Sequence, residues 1–283
     1  MVVDSHQHYW DPDRFEYPWM NPRIGTLVRP FFPEHLKPLL ATAGVDHTII
    51  VQAISSWDEA HWLLDLASAN DFIVGVVTWA DLTSSRLGHE LDQLQKAPKF
   101  KGVRHQIEDE TADDWMVRRE VLRGFRELEA RGLPYDMLVR PRHLKFLPAV
   151  REHCPGLKLV IDHLAKPAIA TREFDLWARE IEQMAALPGI WCKLSGMNTE
   201  ADWNNWTPED FRPYVRHVLK NFGYDRVMFG SDWPVCTLAG TYKQTVDALR
   251  HVLGELDEDS TMVWGTNASV FYGLAESVSL QSE

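Results

Sequence analysis

Eight short β-rich runs recur from one end of the 283-residue chain to the other: VVDSHQH (2–8), HTIIVQA (47–53), IVGVVTWA (73–80), FKGVRHQ (100–106), LPYDMLV (133–139), LKLVIDHL (157–164), IWCKLSG (190–196) and RVMFGSDW (226–233). Most are nearly continuous in apolar residues, the pattern of strands covered on both faces. Between most of them lie helical patterns with start and stop signals. FPEHLKPLLATAG (32–44) spaces its apolar residues by three and four and stops at Gly44, and WDEAHWLLDLASAN (57–70) carries Asp58 and Glu59 in its first turn. RREVLRGFRELEARG (118–132) runs amphipathically into Gly132, and PRHLKFLPAVREHCPG (141–156) ends in Pro155 and Gly156. TREFDLWAREIEQMAAL (171–187) and TPEDFRPYVRHVLKNFG (207–223) flank the seventh run. Strand and helix alternating eight times without a break predicts a closed parallel sheet, a single (β/α)8 TIM-type barrel domain over residues 1–283, and not an open doubly wound sheet. Residues 9–31, rich in Trp, Tyr, Pro and Arg with no clean period, read as a long loop after the first strand, and 275–283 as a frayed tail.

Composition narrows the class of partner. A chain of 45% hydrophobic and 25% charged residues is ordinary for a globular protein. Its net charge of -12, with no basic stripe, speaks against nucleic acid as a partner. No apolar stretch reaches the ~18 residues of a membrane span, and no signal-peptide pattern opens the chain, so the expectation is a cytoplasmic protein with no membrane partner. Cys154, Cys192 and Cys236 are widely spaced and odd in number, which fits neither a disulfide framework nor a CxxC site. They read as buried or incidental thiols. Dinucleotide, P-loop and GxSxG signatures are absent. Oligomeric state is not legible.

In a barrel of this kind ligands are held at the C-terminal ends of the strands, so polar residues there carry functional weight. His6 and His8 close the first run, Arg104 and His105 the fourth, and Tyr135 and Asp136 lie in the fifth. Asp162 and His163 follow in the sixth, Lys193 and Ser195 in the seventh, Ser231 and Asp232 in the eighth. Residues two apart on a strand share a face, so Asp4, His6 and His8 aim together. Each signal has a bland counterpart: HxH as a hydrogen-bonded core pair, Asp232 as a helix cap, His163 as a satisfied strand-end imidazole. Their recurrence at one barrel mouth favours a site, because buried charges are costly unless paired.

The segments DSHQHYW, VIDHLAKP, KLSGM, FGSDWPV and GTNASVFYGL together resemble the amidohydrolase superfamily over essentially the whole chain. The nearest likeness is to its lactonase-type branch, which holds sugar-acid lactonases of the L-fuconolactonase and L-rhamnonolactonase type and 2-pyrone-4,6-dicarboxylate lactonase. The HxHxW opening followed by a YPW-containing loop is most similar to the sugar lactonases. The resemblance implies a hydrolase that opens a cyclic ester, with a small-molecule sugar lactone as substrate. Position by position, it makes His6, His8, His163 and Asp232 the catalytic residues and the ligands of a possible divalent metal, zinc first among candidates, weakly bound or dispensable. One departure matters. Many binuclear members carry a bridging lysine or glutamate at the fourth strand, where this chain has Arg104 and His105, so at most one metal ion is expected.

Lactone hydrolysis needs an activated water, a polarised carbonyl and a proton acceptor, for which Asp232 is the candidate base. The three histidines would surround the water, stabilising the developing oxyanion directly or through a bound metal. Arg104 holds substrate oxygens or pairs with a neighbouring acid. Tyr135 donates to a ring oxygen or packs, and Lys166 reaches the mouth or neutralises Asp162. Trp79 and Trp233, with Tyr9, Trp10, Tyr17 and Trp19 of the loop, form apolar walls for a sugar face or belong to the core. Two alternatives remain at this stage: a metal-dependent decarboxylase or amide hydrolase of the same superfamily, and a non-catalytic ligand-binding barrel.

Overall fold

The computed structural model describes residues 1–256 and 260–274; the tail expected at 275–283 lies outside the described residues. Eight strands form one parallel sheet in sequence order: β1 (Val3–Gln7), β2 (His47–Val51), β3 (Ile73–Thr78), β4 (Phe100–His105), β5 (Tyr135–Met137), β6 (Leu159–Ile161), β7 (Ile190–Leu194) and β8 (Val227–Phe229). The ends of β8 and β1 meet just past their regular pairing. There Asp232 N–H donates to His6 O at 2.8 Å and His8 N–H to Trp233 O at 2.7 Å. The predicted (β/α)8 barrel is the architecture observed.

The helical patterns settle outside the sheet. Pro33–Ala43 ends at Gly44 with φ 62°, the left-handed stop expected of a glycine. Trp57–Ser68 is capped by Ser56, whose side chain accepts from Glu59 N–H. The pattern at 141–156 resolves into two short helices, Pro141–Leu144 and Leu147–His153. Cys154, Cys192 and Cys236 are free and buried, as the sequence suggests. Among the described residues no helix is long and apolar enough to cross a membrane.

Strand parity sorts the barrel interior into layers. Its floor is apolar, with Val3, Ile49, Val51, Val77, Val160 and Met228 packed against Phe271 and Tyr272 of the helix Thr266–Tyr272. Above the floor, buried charges from separate strands meet. Lys193 Nζ lies 2.5 Å from Asp136 Oδ2 and 3.1 Å from Asp162 Oδ1, Arg104 Nη1 lies 3.3 Å from Asp162 Oδ2, and Tyr272 O–H donates to Asp136. Two cations and two carboxylates balance, which is what makes such burial tolerable.

The simple alternation expected for Asp4, His6 and His8 does not hold at Asp4. The pairing of β1 with β2 shifts register between Asp4 and Gln7. Asp4 therefore accepts from Tyr242 O–H, Ser231 N–H and His6 N–H and pins the β1–β8 seam, while the His6 ring turns to Lys193 and Asp162 inside the barrel.

Glu59 performs a similar service after β2. Its buried carboxyl accepts from Ala53 N–H at 3.1 Å and Ile54 N–H at 3.1 Å, fixing a loop that Trp19 also grips through its N–H to Ala53 O. Burial pushes this carboxyl from 4.5 up to about 8, against the lowering effect of those two amides and Arg104. A raised folded-state value means the folded chain holds the proton more tightly than the unfolded one. Stability from this group is then full below pH 4.5 and declines as pH rises towards 8. In thermal melts across that window, the decline in melting temperature should be shallower for Glu59→Gln than for the native chain; equal slopes would contradict the assignment.

Candidate active site

Three imidazoles converge on one carboxylate oxygen at the barrel mouth. From Asp232 Oδ1 the Nε2 atoms of His8, His6 and His163 lie at 3.2, 3.8 and 3.9 Å. The rings of His6 and His8 are 5.0 Å apart and those of His6 and His163 4.4 Å. All four residues are buried. His163 and Asp232 do not sit in their strands, as the sequence reading has it, but just beyond β6 and β8. Both adopt the left-handed region, at φ 53° and 58°, and His163 opens a run of four such residues through Lys166. Left-handed backbone costs an L-residue roughly 1–2 kcal/mol, so a run like this persists only where its surroundings over-determine it.

The supports are specific. Ser195 Oγ lies 2.8 Å from His163 Nδ1 and accepts from His163 N–H at 3.3 Å. Glycines that the sequence reading does not single out complete the cradle. A Cβ on Gly196 would stand 2.7 Å from His163 Nδ1, and one on Gly230 would stand 2.6 Å from His6 Cβ. Their only sequence signal is a glycine beside the strand-end serine in KLSGM and FGSDWP.

Protonation follows from contacts. His8 Nδ1 is 2.7 Å from Val51 O, which can only accept, so Nδ1 carries the proton and neutral His8 turns an Nε2 lone pair toward Asp232 Oδ1. Two lone pairs at 3.2 Å call for a second proton on His8 or a cation between them. Burial pushes His163 down to about 4, against the pull of Asp232 and Asp162. Burial also drives His6 well below its usual value, against Asp162. For Asp232 burial opposes ionisation, but charge on His163 and the His8 hydrogen bond outweigh it, and the carboxyl ionises well below the usual range. At neutral pH the cluster is an ionised carboxylate facing imidazole nitrogens.

This donor set fits a single divalent cation. His6, His8 and Asp232 offer ligand atoms within 4.8 Å of one another, with His163 alongside. Behind them, His6 Nδ1 faces Asp162 Oδ1 at 3.3 Å, the carboxylate support typical of a metal-ligating histidine.

The cluster floors a cavity of about 230 Å³, a small-molecule volume, walled by Trp10, Trp19, Ile24, Leu27, Leu138, Val235 and Leu238. The loop at 9–31 supplies the first four. Trp10 pairs with Phe31 through both backbone amides, and its ring N–H donates to Leu27 O and Arg29 O, tying the loop down. Arg104 and Lys166 also line this cavity, as anticipated. Lys166, however, does not neutralise Asp162. Its Nζ lies 2.5 Å from Glu108 Oε1, and Asp162 is served by Lys193 and Arg104.

Three residues anticipated at the substrate, Tyr135 as a donor or packing residue and Trp79 and Trp233 as walls, point elsewhere. Tyr135 packs on Phe125 in the helix layer, because it alternates with inward-facing Asp136. Trp233 is enclosed by Tyr9 and Phe31, and Trp79 donates to His105 Nδ1 and lines a separate surface depression. Tyr9 and Tyr17 of the loop are core, leaving Trp10 and Trp19 as its aromatic wall.

A closed parallel barrel with this histidine–aspartate mouth defines a class, and the family model for amidohydrolases matches residues 3–274: the chain belongs to the amidohydrolase family. Among curated relatives, an L-fucono-1,5-lactonase of Burkholderia ambifaria is 39% identical over 85% of this chain and 82% of its own length. An L-fucono-1,5-lactonase of Burkholderia multivorans is 35% identical over 97% of this chain and 96% of its own. The crystal structure of an amidohydrolase from Burkholderia multivorans with bound zinc superposes with a TM-score of 0.91 at 34% identity, covering 97% of this chain and all (100%) of that one.

Proposed function

We propose that this chain hydrolyses a sugar-acid lactone, with Asp232 accepting the proton of the attacking water and His6, His8 and His163 arranged around it. The observation that carries the reading is the meeting of three imidazole Nε2 atoms at one ionised oxygen beneath an apolar-walled cavity. Its kinship to fuconolactonases supports the substrate class.

His6, His8, His163 and Asp232 would hold one divalent ion, and zinc suits an imidazole–carboxylate set of this kind. When bound, zinc lowers the pKa of its water and polarises a carbonyl. The chain's own groups do the rest. Asp232 takes a proton from water as the new C–O bond forms at the lactone carbon. Returned to the ring oxygen as the ester C–O bond breaks, the same proton leaves an open hydroxy acid. Ser195 keeps the His163 ring in register, while Trp10 and Trp19 present faces on which a sugar ring can stack. Ile24, Leu27, Val235 and Leu238 suit a deoxy carbon better than a hydroxyl.

A pH-indicator screen of aldonolactones from the L-fucose, L-rhamnose, D-galactose and D-arabinose series tests this, because each turnover liberates an acid. The L-fucono-lactone should lead, and with L-galactono-lactone, its hydroxymethyl counterpart, added to the screen, it should exceed that compound by about tenfold or more in kcat/KM. Evolution of CO₂ from aromatic acids with no lactone turnover would move the chain to the decarboxylase reading.

A further inference from the structure

Arg104 stands where a metal ion would compete with it. Its Nη1 lies 3.3 Å from His6 Nε2 and 3.3 Å from Asp162 Oδ2, and its Nη2 donates to Gln52 O. A guanidinium only donates, so the contact with His6 Nε2 uses that nitrogen's lone pair. His6 Nδ1 then carries the ring proton and gives it to Asp162 Oδ1 at 3.3 Å, while Lys193 Nζ satisfies Asp136 and Asp162. Lys193 Nζ, itself only a donor, also lies 3.2 Å from His6 Nδ1, and in this tautomer it gives its hydrogen bond to Asp136 instead.

We propose that Arg104 is a resident competitor for the metal: its N–H occupies the His6 lone pair that a divalent ion would need, and its fixed charge opposes the ion's approach. The inference rests on the reading that such an ion sits among His6, His8, His163 and Asp232. Loading the site requires the Arg104 hydrogen bond to His6 to break, and Asp162 and Gln52 O hold the guanidinium against moving away. The same arrangement excludes a second ion. His6, Asp162 and His163 form another cluster of potential ligands, but Asp162 is already engaged by Arg104 and Lys193. Without metal, Arg104 holds His6 in place, so the mouth stays ordered. Arg104 is thus a positioning residue that sets how tightly the metal is held.

Chelator-dialysed protein titrated with zinc chloride in a calorimeter provides the test, run on the native chain, Arg104→Met, Arg104→Gln and Asp232→Asn, with circular dichroism to verify folding. Arg104→Gln keeps a donor for Gln52 O and guards against loss of fold in the methionine variant. One equivalent should bind in each folded Arg104 variant, with Kd at least tenfold lower than in the native chain, and Asp232→Asn should lose binding. Affinities of the Arg104 variants within threefold of native, or weaker, would overturn the competition while leaving the metal reading in place. No zinc binding by any variant, or undiminished binding by Asp232→Asn, would remove the metal reading and the competition with it.

Discussion

Asp232→Asn should lower kcat/KM for the best lactone by at least ~10³-fold, about 4 kcal/mol of transition-state stabilisation, while leaving the fold intact. Asparagine matches aspartate in size and can keep the contact with His8, but its amide takes no proton from water at neutral pH. A positioned general base contributes ~10²–10⁴-fold, and the same substitution removes an anionic ligand from any bound cation. The large expected effect follows from the absence of a substitute. Among the described residues Asp162 is committed to Lys193 and Arg104 and Glu108 to Lys166 and Arg140, while Asp109 lines the cavity without joining the ligand atoms gathered at the imidazoles. Some stability at neutral pH should be lost without unfolding the barrel, because the folded chain favours the ionised carboxyl of Asp232 through its imidazole neighbours, His8 nearest. Steady-state kinetics with the indicator assay, alongside a thermal melt, separates the two effects. Activity within tenfold of native in a folded Asp232→Asn protein would remove Asp232 from the proposed role, and no lactone turnover by the native chain would favour a ligand-binding barrel.

The barrel itself was legible because a parallel strand covered on both faces must be apolar along its length, and eight such runs with helices between them allow few arrangements. What the runs do not reveal is where a strand stops. LKLVIDHL reads as one strand, yet β6 ends at Ile161 and the chain turns left-handed from His163 to Lys166 with no glycine to announce it. The positions of His6, His8, His163 and Asp232 at one mouth followed from topology alone, since consecutive strands of a barrel bring their ends to the same rim. Side-chain direction did not. Tyr135 and Asp136 are neighbours, and without the register nothing in LPYDMLV says which one faces inward. Pairing across the barrel was equally hidden: Lys166 finds Glu108 58 residues away, and Lys193 takes the place at Asp162 that sequence proximity offered to Lys166.

Lys193→Met should destabilise the chain by about 3–5 kcal/mol, the cost of breaking a buried ion pair from one side. Lys193 is fully buried and bridges Asp136 and Asp162, so its removal strands two carboxylates in a medium that solvates neither. They are not stranded equally. Asp162 retains Arg104, whereas Asp136 is left with Tyr272 O–H alone. Burial already pushes Asp136 up to about 6 against the pull of Lys193, so losing that cation drives it to take up a proton at neutral pH. Replacing Asp136 as well should therefore recover much of the loss. In urea unfolding, Lys193→Met/Asp136→Asn is expected to be more stable than Lys193→Met, a coupling that two independent core defects would not give. A single variant within 1 kcal/mol of native would mean that the layer contributes little net stability, as some buried pairs do when their desolvation cost cancels their attraction. The layer also reaches the mouth, because Lys193 Nζ lies 3.2 Å from His6 Nδ1 and steers that nitrogen's proton toward Asp162. The double variant should consequently fold yet turn over lactone more slowly than the native chain, since the charged layer beneath His6 would lose the Lys193 cation that faces His6 Nδ1 while keeping Asp162 and Arg104.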